Sequence, residues 1–178
     1  MSGPIRISDS PVKPERIRQL FLAWAADNHK KIKHIASLRY TLQHWAQADL
    51  GSYVESRLND EYNLSGVAYP GIDNQSDCRS CENLMLSHHG RWPSWHELEM
   101  KCKLLDETWE QFSEAVTSDG KRITETRCRN PTAHVWIIGL YLTSEKLDIL
   151  EGFGDWTVDD VNGIGILSRC FINPAFEP

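Results

Sequence analysis

Arg129, Asn130 and His134 are close enough in the chain to act together on a phosphate. A histidine can take the proton from a ribose 2′-hydroxyl or protonate the leaving oxygen, while an arginine holds the phosphate as negative charge develops. Asn130 followed by Pro131 is typical of a helix start, where backbone N–H groups attract anions. These residues predict metal-independent RNA cleavage, with His134 as general acid or base, Arg129 as phosphate ligand and Asn130 orienting the substrate or capping the helix. They also fit a capped helix with a half-buried histidine and no catalytic role.

The pattern Arg129-Asn130-x-x-x-His134, followed by an aromatic residue at Trp136, resembles the motif of the HEPN ribonucleases. These proteins are small helical bundles found in toxin–antitoxin and CRISPR-linked defence systems. The resemblance extends over residues 129–136. It implies an α-helical fold, a homodimer that brings two motifs together, and endoribonuclease activity that requires no cofactor.

Cys78 and Cys81 have the Cys-x-x-Cys spacing at which two thiolates bind one zinc ion, and His89 and His96 follow as imidazole ligands. A structural zinc ion here would order the long irregular stretch 63–93, which is rich in Gly, Asn, Asp and Ser. Two alternatives stay open, namely unligated surface thiols and a redox-active cysteine pair. The sequence contains no second Cys-x-x-Cys pair.

A group of basic residues near the beginning of the chain is a candidate for RNA binding: Lys30, Lys31, Lys33 and His34. Residues 6–44 contain 8 Lys or Arg against 3 Asp or Glu, whereas residues 145–178 contain 2 against 7. A basic face can bind an anionic partner, while the acidic end would repel it. The alternative is a solvated helix surface with no ligand.

Hydrophobic periodicity predicts helices along the first third of the chain. Pro11 and Pro14 open the first, whose apolar face carries Ile17, Leu20, Phe21 and Trp24. A second helix carries Ile32, Ile35, Leu38, Leu42 and Trp45 inward and ends or bends at Gly51. A short third helix is expected over residues 53–62.

The clearest predicted helix begins at a Ser94–Glu97 capping box and ends at Asp119-Gly120. Its apolar residues repeat at spacings of four and three: Leu98, Cys102, Leu105, Trp109, Phe112 and Val116. The stretch 134–142 is apolar on every side and fits a buried helix or a buried strand, and we favour the helix. The closing stretch adds a short helix or an edge strand.

Composition limits the class of protein. With 178 residues, a net charge of −6 and 40% hydrophobic residues, the chain suits one domain over residues 1–178 and is not globally disordered. Its longest apolar run, residues 135–142, is far below the roughly 18 residues of a membrane span. The first 25 residues lack the features of a secretory signal, and five cysteines, an odd number, favour reduced thiols in the cytoplasm.

The sequence therefore predicts a mainly α-helical, compact bundle with a long irregular loop at 63–93 and a few short strands around 63–93 and 120–130. The first functional hypothesis is a nucleic-acid-directed, HEPN-like endoribonuclease that needs no cofactor, with structural zinc as a further candidate. The alternative is a non-enzymatic inhibitor, immunity or adaptor protein that binds a protein partner through an acidic and aromatic surface. Seven tryptophans suit such an interface. Neither hypothesis involves a membrane.

Overall fold

The computed structural model describes residues 12–38, 42–59, 64–68, 84–88, 96–104, 106–125, 134–143 and 155–172. For 64–68, 84–88 and 119–125 it describes the backbone alone. The elements follow in the order α1 Pro14–Ala36, α2 Leu42–Leu58, β1 Leu64–Ala68, β2 Leu84–His88, β3 His96–Cys102, α3 Trp109–Glu125, β4 His134–Leu142, β5 Thr157–Val161 and β6 Ile164–Ile172.

The expected helical bundle is wrong, because the core of the molecule is a mixed β-sheet. Within the described residues the sheet has six strands in the order β1-β2-β3-β4-β6-β5. Strands β3 and β4 are parallel, and the other neighbouring pairs are antiparallel. Helices α1 and α2 cover one face and α3, the crossover between the parallel strands, covers the other. The protein is therefore a three-layer α/β fold.

Helix α1 confirms the first predicted apolar face, since Ile17, Leu20, Phe21 and Trp24 are all buried. The helix does not end before the basic residues but continues to Ala36, so that Ile32 extends the same buried face. The second helix begins only at Leu42 and runs through Gly51 to Leu58, which replaces the separate helix predicted over 53–62. In the part of the chain described, no helix is long and apolar enough to cross a membrane.

The helix predicted over 94–119 is wrong in its first half, which forms β3. Apolar side chains alternate there at Leu98, Met100 and Cys102, and all three are buried. A helix begins only at Trp109, after a capping box between Thr108 and Gln111. The Thr108 backbone N–H donates to Gln111 Oε1 at 2.9 Å, and the Gln111 N–H donates to Thr108 Oγ1 at 3.2 Å. Helix α3 passes the predicted stop and reaches Glu125.

Strand β4 replaces the helix favoured for the apolar stretch 134–142. Its even-numbered residues, such as Ile138, pack with the core under α1 and α2, whereas odd-numbered residues such as Ile137 and Tyr141 pack with α3. A strand covered by helices on both faces is apolar on every side, so it lacks the alternation that would identify it as a strand.

The closing stretch forms the β5–β6 hairpin, whose turn contains Asn162 and Gly163 at φ angles of 54° and 80°. Positive φ at both central residues is the geometry that an Asn-Gly pair favours. Helix α1 holds this hairpin at two places. An Arg18 amino group lies 2.7 Å from Asp159 Oδ1, and Lys33 Nζ donates to the Asn162 carbonyl at 2.7 Å.

Candidate functional site

His134, the predicted acid or base, is the first residue of β4 and is half-buried. The expectation that it lies within the first turns of a helix is wrong, because the chain there is already extended. Arg129 and Asn130 lie outside the described residues, so their approach to His134 stays a prediction.

His134 instead stacks on His96, which occupies the matching position at the start of the parallel strand β3. The ring centroids are 4.7 Å apart and the planes differ by 14°. His96 is 1% exposed, and its Nε2 lies 2.7 Å from the Val12 carbonyl, so that nitrogen carries the proton. The pKa of His96 is lowered to about 4, chiefly by burial, with the Val12 hydrogen bond opposing the shift and nearby His134 adding to it. Burial also lowers the pKa of His134, against an opposing effect of Glu15. Both rings are therefore neutral near pH 7.

The zinc site stays a prediction, because three of its four ligands lie outside the described residues. Cys78, Cys81 and His89 lie outside them, while His96 uses Nε2 to hold Val12. In the stack the ring planes are nearly parallel, so their in-plane lone pairs do not converge on one ion. Among the residues that the structure describes, no group of three or more His, Cys, Asp or Glu could hold a metal.

The four basic candidates all lie on α1 and serve different purposes. Lys31 Nζ lies 3.1 Å from Asp49 Oδ1 and 4.5 Å from the centre of the Trp45 ring. Lys33 holds the β5–β6 turn. Lys30 and His34 are exposed. Two of the four cations are thus bound to the protein's own acceptors, and a nucleic acid would have to compete for them.

A row of charged side chains on β3 was missed by the sequence analysis. Because successive strand residues point to opposite faces, Glu97, Glu99 and Lys101 share the face that α3 covers. The Glu99 side chain is only 4% exposed, and its Oε1 lies 3.7 Å from Lys101 Nζ. We call these two residues the Glu99–Lys101 pair. Carboxylates are rarely buried in a protein unless paired, so this pair is a candidate functional feature.

A cavity of about 380 Å³ lies where β3 ends, between the start of α2 and the first turns of α3. We call it the β3 cavity. Its lining combines polar and apolar residues: Gln43, His44, Lys101, Cys102, Leu104, Glu107, Phe112 and Ala115. Lys101 belongs to both features, so the cavity and the Glu99–Lys101 pair adjoin at this residue. Ligands of α/β proteins commonly bind beyond the carboxyl ends of the strands, where this cavity lies.

The remaining groups of the β3 cavity have restricted chemistry. Glu107 accepts a hydrogen bond from the Leu104 backbone N–H at 3.1 Å through Oε2. Burial raises the pKa of the Cys102 thiol far above its ordinary value, and the nearby Glu107 carboxylate adds to the effect. The thiol therefore stays protonated and is a poor nucleophile. Lys101, His44, Gln43 and Glu107 supply the polar contacts of this site.

Comparison of the chain with protein-family models, curated proteins and solved structures gives no match.

Proposed function

We propose that this protein is a metal-dependent phosphodiesterase that cleaves nucleic acid at the Glu99–Lys101 pair. The observation that carries the proposal is a nearly buried carboxylate beside the ammonium group of Lys101, a residue that also lines a cavity. Only the carboxylate of this pair is buried, since the Lys101 side chain is 29% exposed. Burying a carboxylate costs free energy, and well-packed apolar residues often stabilise a fold as well as an ion pair does. The pair is therefore better explained by chemistry than by packing.

Phosphodiester hydrolysis needs an activated water and positive charge near the phosphate. The described residues contain no cluster of three metal-binding side chains, but Mg²⁺ typically binds through only one or two carboxylates and completes its shell with water and substrate phosphate. Glu99, with Glu97 on the same strand face, would supply those carboxylate oxygens. The ion would lower the pKa of water and offset charge on the phosphate. Lys101 places a second cation beside Glu99, where it stabilises the charge that develops on phosphate oxygens. Polyanionic nucleic acid is the substrate class that these two cations suit.

A second candidate is metal-independent RNA cleavage at His134 with Arg129 and Asn130. The observation that favours it is the half-buried, neutral imidazole of His134, a suitable general base near pH 7. The alternative of a protein-binding surface rich in tryptophan has less support. The described tryptophans, namely Trp24, Trp45, Trp109, Trp136 and Trp156, are all buried or half-buried. The free thiols of Cys102 and Cys170 support a location in the reducing cytoplasm.

The test is a cleavage assay on labelled RNA and single-stranded DNA, with Mg²⁺ or with EDTA. We expect cleavage only with Mg²⁺, and a decrease of roughly 100- to 1000-fold in Glu99→Gln and Lys101→Met, the size typical of losing one electrostatic catalytic group. Matched controls are Glu114→Gln and Lys13→Met, which change exposed residues outside the site and should cleave as the wild type does. Circular dichroism checks that each variant is folded.

The same assay separates the candidates. Cleavage in EDTA that is lost in His134→Ala would replace the proposal by the second candidate. Mg²⁺-dependent cleavage that persists in a folded Glu99→Gln variant would contradict the role given to Glu99. If neither RNA nor single-stranded DNA is cleaved under either condition, both catalytic proposals fail and a binding protein becomes the better explanation.

A further inference from the structure

We propose that the β3 cavity binds one unpaired nucleotide of the substrate, so that the protein acts on single-stranded nucleic acid. This inference rests on the proposed function, because it names the substrate class of that site. Three features carry it: the volume of the cavity, the combination of polar and apolar residues in its lining, and the place of Lys101, which lines the cavity and pairs with Glu99.

The volume fits a small ligand. At about 380 Å³ the cavity lies in the lower part of the usual range for small-molecule sites, roughly 300–1000 Å³. Such a space admits one nucleotide but not a base pair with its stacked neighbours. A base that enters it must first leave a helix or come from a single strand, and unpaired bases avoid that unstacking energy.

The apolar lining suits the faces of a base. Phe112 and Ala115 of α3, together with Leu104, supply the apolar part of the lining. Bases bind to proteins chiefly by placing their flat faces against apolar and aromatic side chains, whatever their sequence. The lining also includes Cys102, whose protonated thiol behaves as a small apolar group.

The polar lining suits the edge of a base and its phosphate. The Gln43 amide can donate and accept, as the hydrogen-bonding edge of a base requires, and Glu107 adds acceptor oxygens. Lys101 and His44 supply nitrogen donors for a phosphate. The first turn of α2, which contains Gln43 and His44, carries no acidic residue that would oppose an anion.

The position of Lys101 connects binding with cleavage. Lys101 lines the cavity, and its ammonium group lies 3.7 Å from Glu99 Oε1. A nucleotide seated in the cavity would therefore bring its phosphate next to the Glu99–Lys101 pair. Binding of the base would then position the phosphodiester bond beside the Glu99–Lys101 pair for cleavage.

The test measures binding without turnover, by calorimetry in magnesium-free buffer. The probes are the four nucleoside 5′-monophosphates, the nucleosides and inorganic phosphate. We expect the monophosphates to bind more tightly than either of the other two groups. Ala115→Phe fills the cavity and should weaken binding by about tenfold or more. The control Ala23→Phe adds the same ring to an exposed position of α1 and should bind as the wild type does.

A second variant and a second substrate keep the inference testable if Ala115→Phe does not fold. Gln43→Leu should also weaken binding of the monophosphates, and the protein should cleave a single strand faster than the same sequence in a duplex. Inorganic phosphate that binds as tightly as the monophosphates would overturn the inference, because no base is then recognised. Unchanged binding in a folded Ala115→Phe variant would overturn it as well.

The two proposals can fail separately. If monophosphates bind and Ala115→Phe weakens them, but Mg²⁺ supports no cleavage, the cavity is a nucleotide site and the phosphodiesterase is wrong. If cleavage requires Glu99 but no monophosphate binds, the phosphodiesterase stands and the nucleotide pocket is wrong.

Discussion

Replacing His96 by glutamine removes a buried histidine while retaining a side-chain N–H that can reach the Val12 carbonyl. In the wild type, burial lowers the pKa of His96 from 6.5 to about 4. Between these pH values the unfolded chain binds more protons than the native protein does. The native state is therefore destabilised as the pH falls from 6.5 towards 4, and it has its full stability above pH 6.5.

The magnitude follows from the same pKa values. Each pKa unit corresponds to about 1.4 kcal/mol, so a shift from 6.5 to about 4 is worth roughly 3 kcal/mol once the pH is below both values. At pH 5 roughly 2 kcal/mol of this is already lost. The pKa of His134 is also lowered, so its protonation further destabilises both the wild type and the His96→Gln variant as the pH falls.

The assay is urea denaturation of wild type and His96→Gln at several pH values between 7.5 and 5, above the range where most carboxylates titrate. We expect the wild type to lose roughly 2 kcal/mol more than the variant over this interval. His34→Gln, an exposed histidine on α1, is the control and should lose as much as the wild type. If wild type and His96→Gln lose the same free energy of unfolding, His96 is not buried and neutral as described.

Two further predictions concern packing, both measured by chemical denaturation. Gly165→Ala would put a Cβ 2.0 Å from ring atoms of Tyr141, so we expect the free energy of unfolding to fall by about 3 kcal/mol or more. A decrease below about 0.5 kcal/mol would contradict this contact. Trp24→Phe removes a 2.9 Å hydrogen bond from the indole N–H to Asp49, whereas the buried Trp136 Nε1 has no hydrogen-bond partner among the described residues. Trp24→Phe should therefore lower the free energy of unfolding by about 1–2 kcal/mol more than Trp136→Phe does. The reverse order would refute the assignment of that bond.

The sequence predicted α1 well because its signal is local. Ile17, Leu20, Phe21 and Trp24 follow one helical face and all of them are buried. The stretch from His96 to Cys102 was misread because Leu98 and Cys102 also fit a helical spacing of four. The same residues also show the two-residue alternation of a strand, because apolar side chains alternate with charged ones. The apolar set is Leu98, Met100 and Cys102, and the charged set is Glu97, Glu99 and Lys101.

That error hid the candidate site. On a helix the charged residues of β3 would spread around the surface, whereas on a strand Glu99 and Lys101 point the same way and meet. The stacking of His96 on His134 depends on the parallel pairing of two strands 38 positions apart in the chain, which no local pattern contains. The Asn162-Gly163 pair was the available local signal for the closing hairpin.

The contact between α1 and the β5–β6 hairpin has a consequence for synthesis on the ribosome. Arg18 and Asp159 are separated by 141 positions, so α1 leaves the ribosome long before the strands that cover it exist. At about 5–20 residues per second the interval is roughly ten seconds or more. During that time Trp24 can already contact Trp45 and Asp49 of α2, but Phe21 stays without Trp136, its partner on β4. We therefore expect the nascent chain to bind chaperones that protect exposed hydrophobic helices until translation is complete.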